Sequence, residues 1–133
     1  MTRKIMSGAL LFMGLLLTLG AYGHGFMGRK NIDVELDKFA IAPNVYTILY
    51  VVWYFASGCM LVFGLTIIAA WFQQRKGKVA LLPVTGAIGV LYALTGVGGM
   101  IYRHGDPFMA TFVIEGAVLL ALSMALARTP VPQ

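Results

Sequence analysis

The chain has 133 residues, 59% hydrophobic and 11% charged, and its mean hydropathy of +0.83 excludes a water-soluble globule. The length allows one domain, 1–133, with no separate catalytic module. The formal charge of +5 is divided among short clusters, and without a basic stripe interleaved with aromatics it argues against nucleic acid as a partner.

The first apolar stretch runs from about Ile5 to Tyr22 behind Arg3 and Lys4. With the small residues around Ala21-Tyr22-Gly23 it resembles a secretory signal, but a retained span would bury usefully in a bundle, and retention is expected. Gly23 to Asn44 reads as the longest polar connection and carries Asp33, Glu35 and Asp37. Pro43 and Asn44 then open a second span over about Val45 to Phe72. A turn with Arg75, Lys76 and Lys78 leads to a third, Val79 to Tyr102, with Pro83 in its first turn, where a missing N–H costs little. Asp106 and Pro107 form an N-cap and first-turn proline ahead of the fourth, Phe108 to Ala127.

Each stretch is long enough to cross a hydrocarbon core of about 30 Å as a helix. The period-2 alternation of a β-barrel is absent. The expected fold is therefore an all-α, four-transmembrane-helix bundle (helices about 5–22, 45–72, 79–102 and 108–127). Arg3 and Lys4, the Arg75/Lys76/Lys78 turn and Arg128 lie at three ends free of acids. Both termini are accordingly expected in the cytoplasm, in a bacterial-type inner membrane.

Glu115 is the acid inside an apolar run. Eight residues beyond Pro107, it falls about 12 Å below the outer end of its helix. A charge at that depth is expensive, so such acids face the bundle or a water-filled cavity, as functional groups or as packing pins. Tyr46, Tyr50, Tyr54 and Ser57 share one face of the second span, and Tyr92, Thr95, Gly99 and Tyr102 one face of the third. Thr111 lies one turn above Glu115. Tyr46 and Tyr102 suit an interfacial aromatic belt, whereas Tyr54 and Tyr92 are deeper. Turning these polar faces inward, around a pocket open to the outside, is the economical arrangement. Its expected members are Glu115 as acid or base, with Tyr50, Tyr54, Ser57, Tyr92, Thr95 and Thr111 as binding groups and Arg103 at the outer lip.

His24, His104 and Asp106 are weak metal or haem candidates, because no local ligand spacing joins them. The lone Cys59 rules out an intrachain disulfide and a CxxC motif. The residues leave the cofactor unknown. Ala117, Ala121 and Ala125, like Gly89 with Ala93, make small-xxx-small faces for close helix contact, within the bundle or between subunits. The Gly96, Gly98, Gly99 cluster reads as close packing.

These residues suggest a small integral membrane protein that binds a small apolar or amphipathic molecule, with acid/base chemistry open because no nucleophile stands beside a base. In size and helix count the chain also resembles the small multidrug-resistance transporters, dimers that work around a membrane glutamate. That resemblance implies proton-coupled transport by a homo-oligomer, but their glutamate lies in the first helix and Glu115 in the fourth, so no residue role carries over. A structural or regulatory subunit of a membrane complex is the third reading.

Overall fold

The computed structural model describes residues 2–129. Helix α1 (Arg3–Tyr22) passes into a π-helical segment (Gly23–Gly28) and then α2 (Arg29–Leu36), so one helical rod of 34 residues runs from Arg3 to Leu36. Three more helices follow: α3 (Pro43–Arg75), α4 (Leu82–Tyr102) and α5 (Pro107–Arg128). All described elements are helical, and four helices are long and apolar enough to cross a membrane.

The spans from Val45, Val79 and Phe108 correspond to α3, α4 and α5 with ends moved by a few residues. Asp106 caps α5 as expected, its carboxylate accepting the Phe108 N–H at 2.9 Å. The first span, α1, ends at Tyr22 as expected, but the connection after it does not behave as one. The long connection from Gly23 shrinks to residues 37–42, because the chain stays helical to Leu36. Glycines in a helix cost up to about 1 kcal/mol each, but here they let the rod approach α3 closely. The Trp53 indole lies over Gly28, where an added Cβ would meet its Cζ2 at 2.7 Å. Ser57 packs on Gly25, and the Trp53 Nε1–H donates to the His24 carbonyl at 2.9 Å. π-segments loosen the ladder that normally occupies carbonyls, and a side-chain donor from α3 uses one of them.

The helices pair as two hairpins, the rod with α3 and α4 with α5, which meet through α1 with α5 and α3 with α4. Small residues bring each pair together. A Cβ on Gly64 would come within 2.9 Å of the Gly14 carbonyl, and one on Gly89 within 2.7 Å of the Gly116 carbonyl. On α5 this contact is made by Gly116, whereas Ala117 and Ala121 are exposed. Ala117 and Ala121 of the alanine stripe thus take no part in that contact, while Ala125 packs against the core. Gly96 packs on Val113 as expected of the glycine cluster, but Gly98 faces open space.

The core joining the hairpins is densest toward the end bearing Arg3, Arg75 and Arg128, called here the basic end. Leu10, Ile67, Leu82, Leu119 and Leu126 are fully buried. Gln74, also buried, donates to Ser7 and accepts from the Arg3 guanidinium at 3.2 Å, while Arg3 also donates to the Thr129 carbonyl. This network ties α1 to the ends of α3 and α5. At about 1.5 Å per residue, α3 outruns α5 by roughly 16 Å. The rod and α3 thus extend past α4 and α5 at the opposite, distal end.

Candidate functional site

Toward the distal end the two hairpins part around a groove of about 680 Å³. One wall is Gly20, Gly23 and His24 of the rod with Ala56, Cys59, Met60 and Phe63 of α3. The other is Leu91, Tyr92 and Thr95 of α4 with Phe108, Thr111, Phe112 and Glu115 of α5. Gly20 and Gly23 leave one side of the groove without bulk, and Phe63, Tyr92 and Phe112 gather their rings along it. Tyr92 meets Phe63 edge-on at 6.4 Å between centroids and stacks on Phe112 at 5.8 Å. The lining is mostly apolar with a few polar groups, Tyr92, Thr95, Thr111, Glu115 and His24.

Tyr92 is 6% exposed, and its hydroxyl is buried without a hydrogen-bond partner among the described residues. Leaving a hydroxyl so costs about 1–3 kcal/mol. Glu115 is half-buried on the same wall, and no hydrogen bond or ion pair engages its carboxyl group among the described residues. Thr95 and Thr111 are exposed, and the Thr111 hydroxyl is bonded to the Phe108 carbonyl at 2.6 Å.

Opposite them, His24 is held on two sides. Its ring stacks on Trp53 with centroids 3.8 Å apart and planes at 13°, and its Nδ1 lies 2.8 Å from the Ser57 Oγ. Ser57 donates its proton to the Trp53 carbonyl at 3.0 Å. A hydroxyl has one proton, so while Ser57 gives it to the Trp53 carbonyl its Oγ accepts from His24 Nδ1–H. The neutral imidazole is then the Nδ1–H tautomer, with the Nε2 lone pair as its remaining acceptor.

Of the expected pocket, Tyr92, Thr95, Thr111 and Glu115 come together, whereas Tyr50, Tyr54, Ser57 and Arg103 do not line the groove. The cause is the helical course of residues 23–36, which sets α2 beside the tyrosine face of α3. Tyr50 donates to Asp33, Tyr46 to Asp37 at 3.3 Å, and Arg29 donates to the Tyr54 hydroxyl at 2.6 Å. The Arg29 guanidinium also sits 4.9 Å from the Tyr50 ring centroid. Ser57 touches the site only through His24.

Arg103 pairs with Asp106 at 2.7 Å in the exposed α4–α5 turn, beside His104 at φ 51° and Gly105 at φ 90°. No group of three His, Cys, Asp or Glu side chains that could hold a metal occurs among the described residues, so His24, His104 and Asp106 are not gathered into one.

Cys59, Phe63 and Phe112 also line the groove, beyond the residues the sequence marks by polarity. Their signal was helical spacing: Cys59 and Phe63 are four apart, and Phe108, Phe112 and Glu115 recur at four and three. Compared with protein-family models, curated proteins and solved structures, the chain finds no match.

Proposed function

We propose that the chain is an integral membrane protein, with both termini on the cytoplasmic side of a bacterial-type inner membrane, whose distal groove takes up a small apolar or amphipathic molecule. The observation that carries this reading is the Tyr92 hydroxyl, buried and unpartnered in the same groove as Glu115. A small swing of the Tyr92 ring toward the groove would let one ligand oxygen meet both its hydroxyl and Glu115, and the aromatic and aliphatic lining would hold the ligand's apolar body. Across the groove, His24 in its Nδ1–H tautomer offers an acceptor, so a hydroxyl on the ligand would have a partner on each wall. A proton passing between ligand and Glu115 or His24 is the acid/base chemistry this arrangement allows.

The test is photo-crosslinking of the protein in vesicles with a diazirine-bearing fatty alcohol, the modified residues being mapped by mass spectrometry. Labelling should concentrate on Tyr92, Phe112 and their groove neighbours and fall several-fold in Glu115→Gln. Even labelling of the outward faces of all helices, unchanged by that substitution, would refute the proposal.

A further inference from the structure

We propose that a second cavity, at the basic end, is a binding site for the phosphate headgroup of an anionic phospholipid. The inference rests on membrane insertion but not on the ligand reading of the distal groove. The cavity, of about 530 Å³, lies between the start of α1 and the end of α3, and Arg3, Lys4, Arg75, Gly8, Leu11 and Trp71 are among its lining. Its cations form no ion pair with an acidic side chain among the described residues. Arg3 is fixed by neutral acceptors, the Gln74 side chain at 3.2 Å and the Gln74 carbonyl at 3.4 Å, together with the Thr129 carbonyl.

Arg75 is exposed, with its guanidinium carbon 5.1 Å from the Trp71 ring centroid, and Lys4 is exposed and forms no ion pair among the described residues. The five acidic side chains all lie elsewhere, on α2, the loop after it, the α4–α5 turn or the middle of α5.

Three cations around one concavity match a phosphate group, and both arginines bring the planar donor geometry that phosphate oxygens accept. Below the charges, Gly8, Leu11 and Trp71 provide an apolar wall for the first part of an acyl chain. A basic pocket between helices at a membrane surface is the recurrent form of an anionic-lipid site, and each basic side chain near such a surface is worth about fivefold in affinity. Free phosphate would use the charges but leave the apolar wall idle.

The experiment reads Trp71 fluorescence in a Trp53→Phe background, in phosphatidylcholine vesicles doped with either brominated phosphatidylglycerol or brominated phosphatidylcholine. The anionic quencher should compete for Trp71 with an association constant at least about fivefold above that of the zwitterionic one. Lys4→Gln with Arg75→Gln should bring that ratio close to one. Lys78→Gln with Arg128→Gln removes the same charge from exposed positions at the same end and should keep it. Equal loss in the two double variants, no preference in the parent, or loss of the preference in excess inorganic phosphate would each overturn the site. A chain whose Trp71 neither brominated lipid quenches is not inserted, which refutes the membrane reading itself and is distinct from quenching without preference.

Discussion

Replacing Tyr92 with phenylalanine removes one oxygen, and the structure fixes opposite signs for its effects on the empty and the occupied protein. In the empty protein the hydroxyl is buried with no partner. Its desolvation is therefore a cost of about 1–3 kcal/mol. Tyr92→Phe keeps the ring between Phe63 and Phe112, so packing is preserved. The delipidated variant should be more stable by about 1 kcal/mol, which for a chain of this size raises the unfolding midpoint by about 4 °C.

With a ligand bound, the same substitution deletes a hydrogen bond worth about 0.5–1.5 kcal/mol, a two- to twelvefold loss of affinity. Circular dichroism of delipidated protein in detergent reads the first effect, and titration with the diazirine fatty alcohol, scored by crosslinking yield, reads the second. A variant that unfolds several degrees earlier when empty would mean that the hydroxyl already has a partner, and the reasoning would fail.

Other consequences are simpler to read. Ser123→Ala removes another buried hydroxyl without a partner, so the unfolding midpoint should hold or rise by a few degrees. Gly116→Val should separate α4 from α5, since a Cβ at that position already meets the Ala93 Cα at 3.0 Å. A loss of roughly 1–3 kcal/mol or outright misfolding is expected, and wild-type thermal stability would contradict the packing. Asp106→Ala deletes the N-cap of α5 and should cost about 1 kcal/mol in the same assay. Ser57→Ala leaves His24 Nδ1 without its acceptor, so two-dimensional ¹⁵N spectra should move from a single Nδ1–H tautomer to a mixture. An unchanged tautomer would show that Ser57 does not set it.

The helices α3, α4 and α5 were legible because apolar runs of this length have one stable form in a bilayer, and proline and capping residues mark where they begin. Past Gly23 the sequence predicts a loop where the chain stays helical. GHGFMG followed by a charged octet carries every local mark of a loop, and propensity alone makes it one. What overrides propensity is tertiary contact. Gly14, Thr18, Ala21, Gly25 and Gly28 recur at four, three, four and three, a continuous small-residue seam on which α3 packs. That spacing was present in the sequence, but its meaning depended on Trp53 and Ser57 lying opposite.

The same departure displaces half of the expected pocket. With residues 29–36 treated as loop, Tyr50 and Tyr54 had no evident partners and were turned toward Glu115. With those residues helical, Asp33 and Arg29 take them. Tyr92, Thr95, Thr111 and Glu115 were legible because they lie on two helices joined by a short turn, where depth can be counted from a single boundary.

The central claim is that the distal groove is a receptacle, and filling it is the most direct trial. Ala56 lines the groove and is half-buried, so Ala56→Trp places an indole in the space that a ligand would use. Native mass spectrometry of gently extracted protein should find the parent chain carrying a small apolar molecule and the tryptophan variant arriving bare. A parent chain that is itself bare, or a variant that keeps the same adduct, would contradict the account.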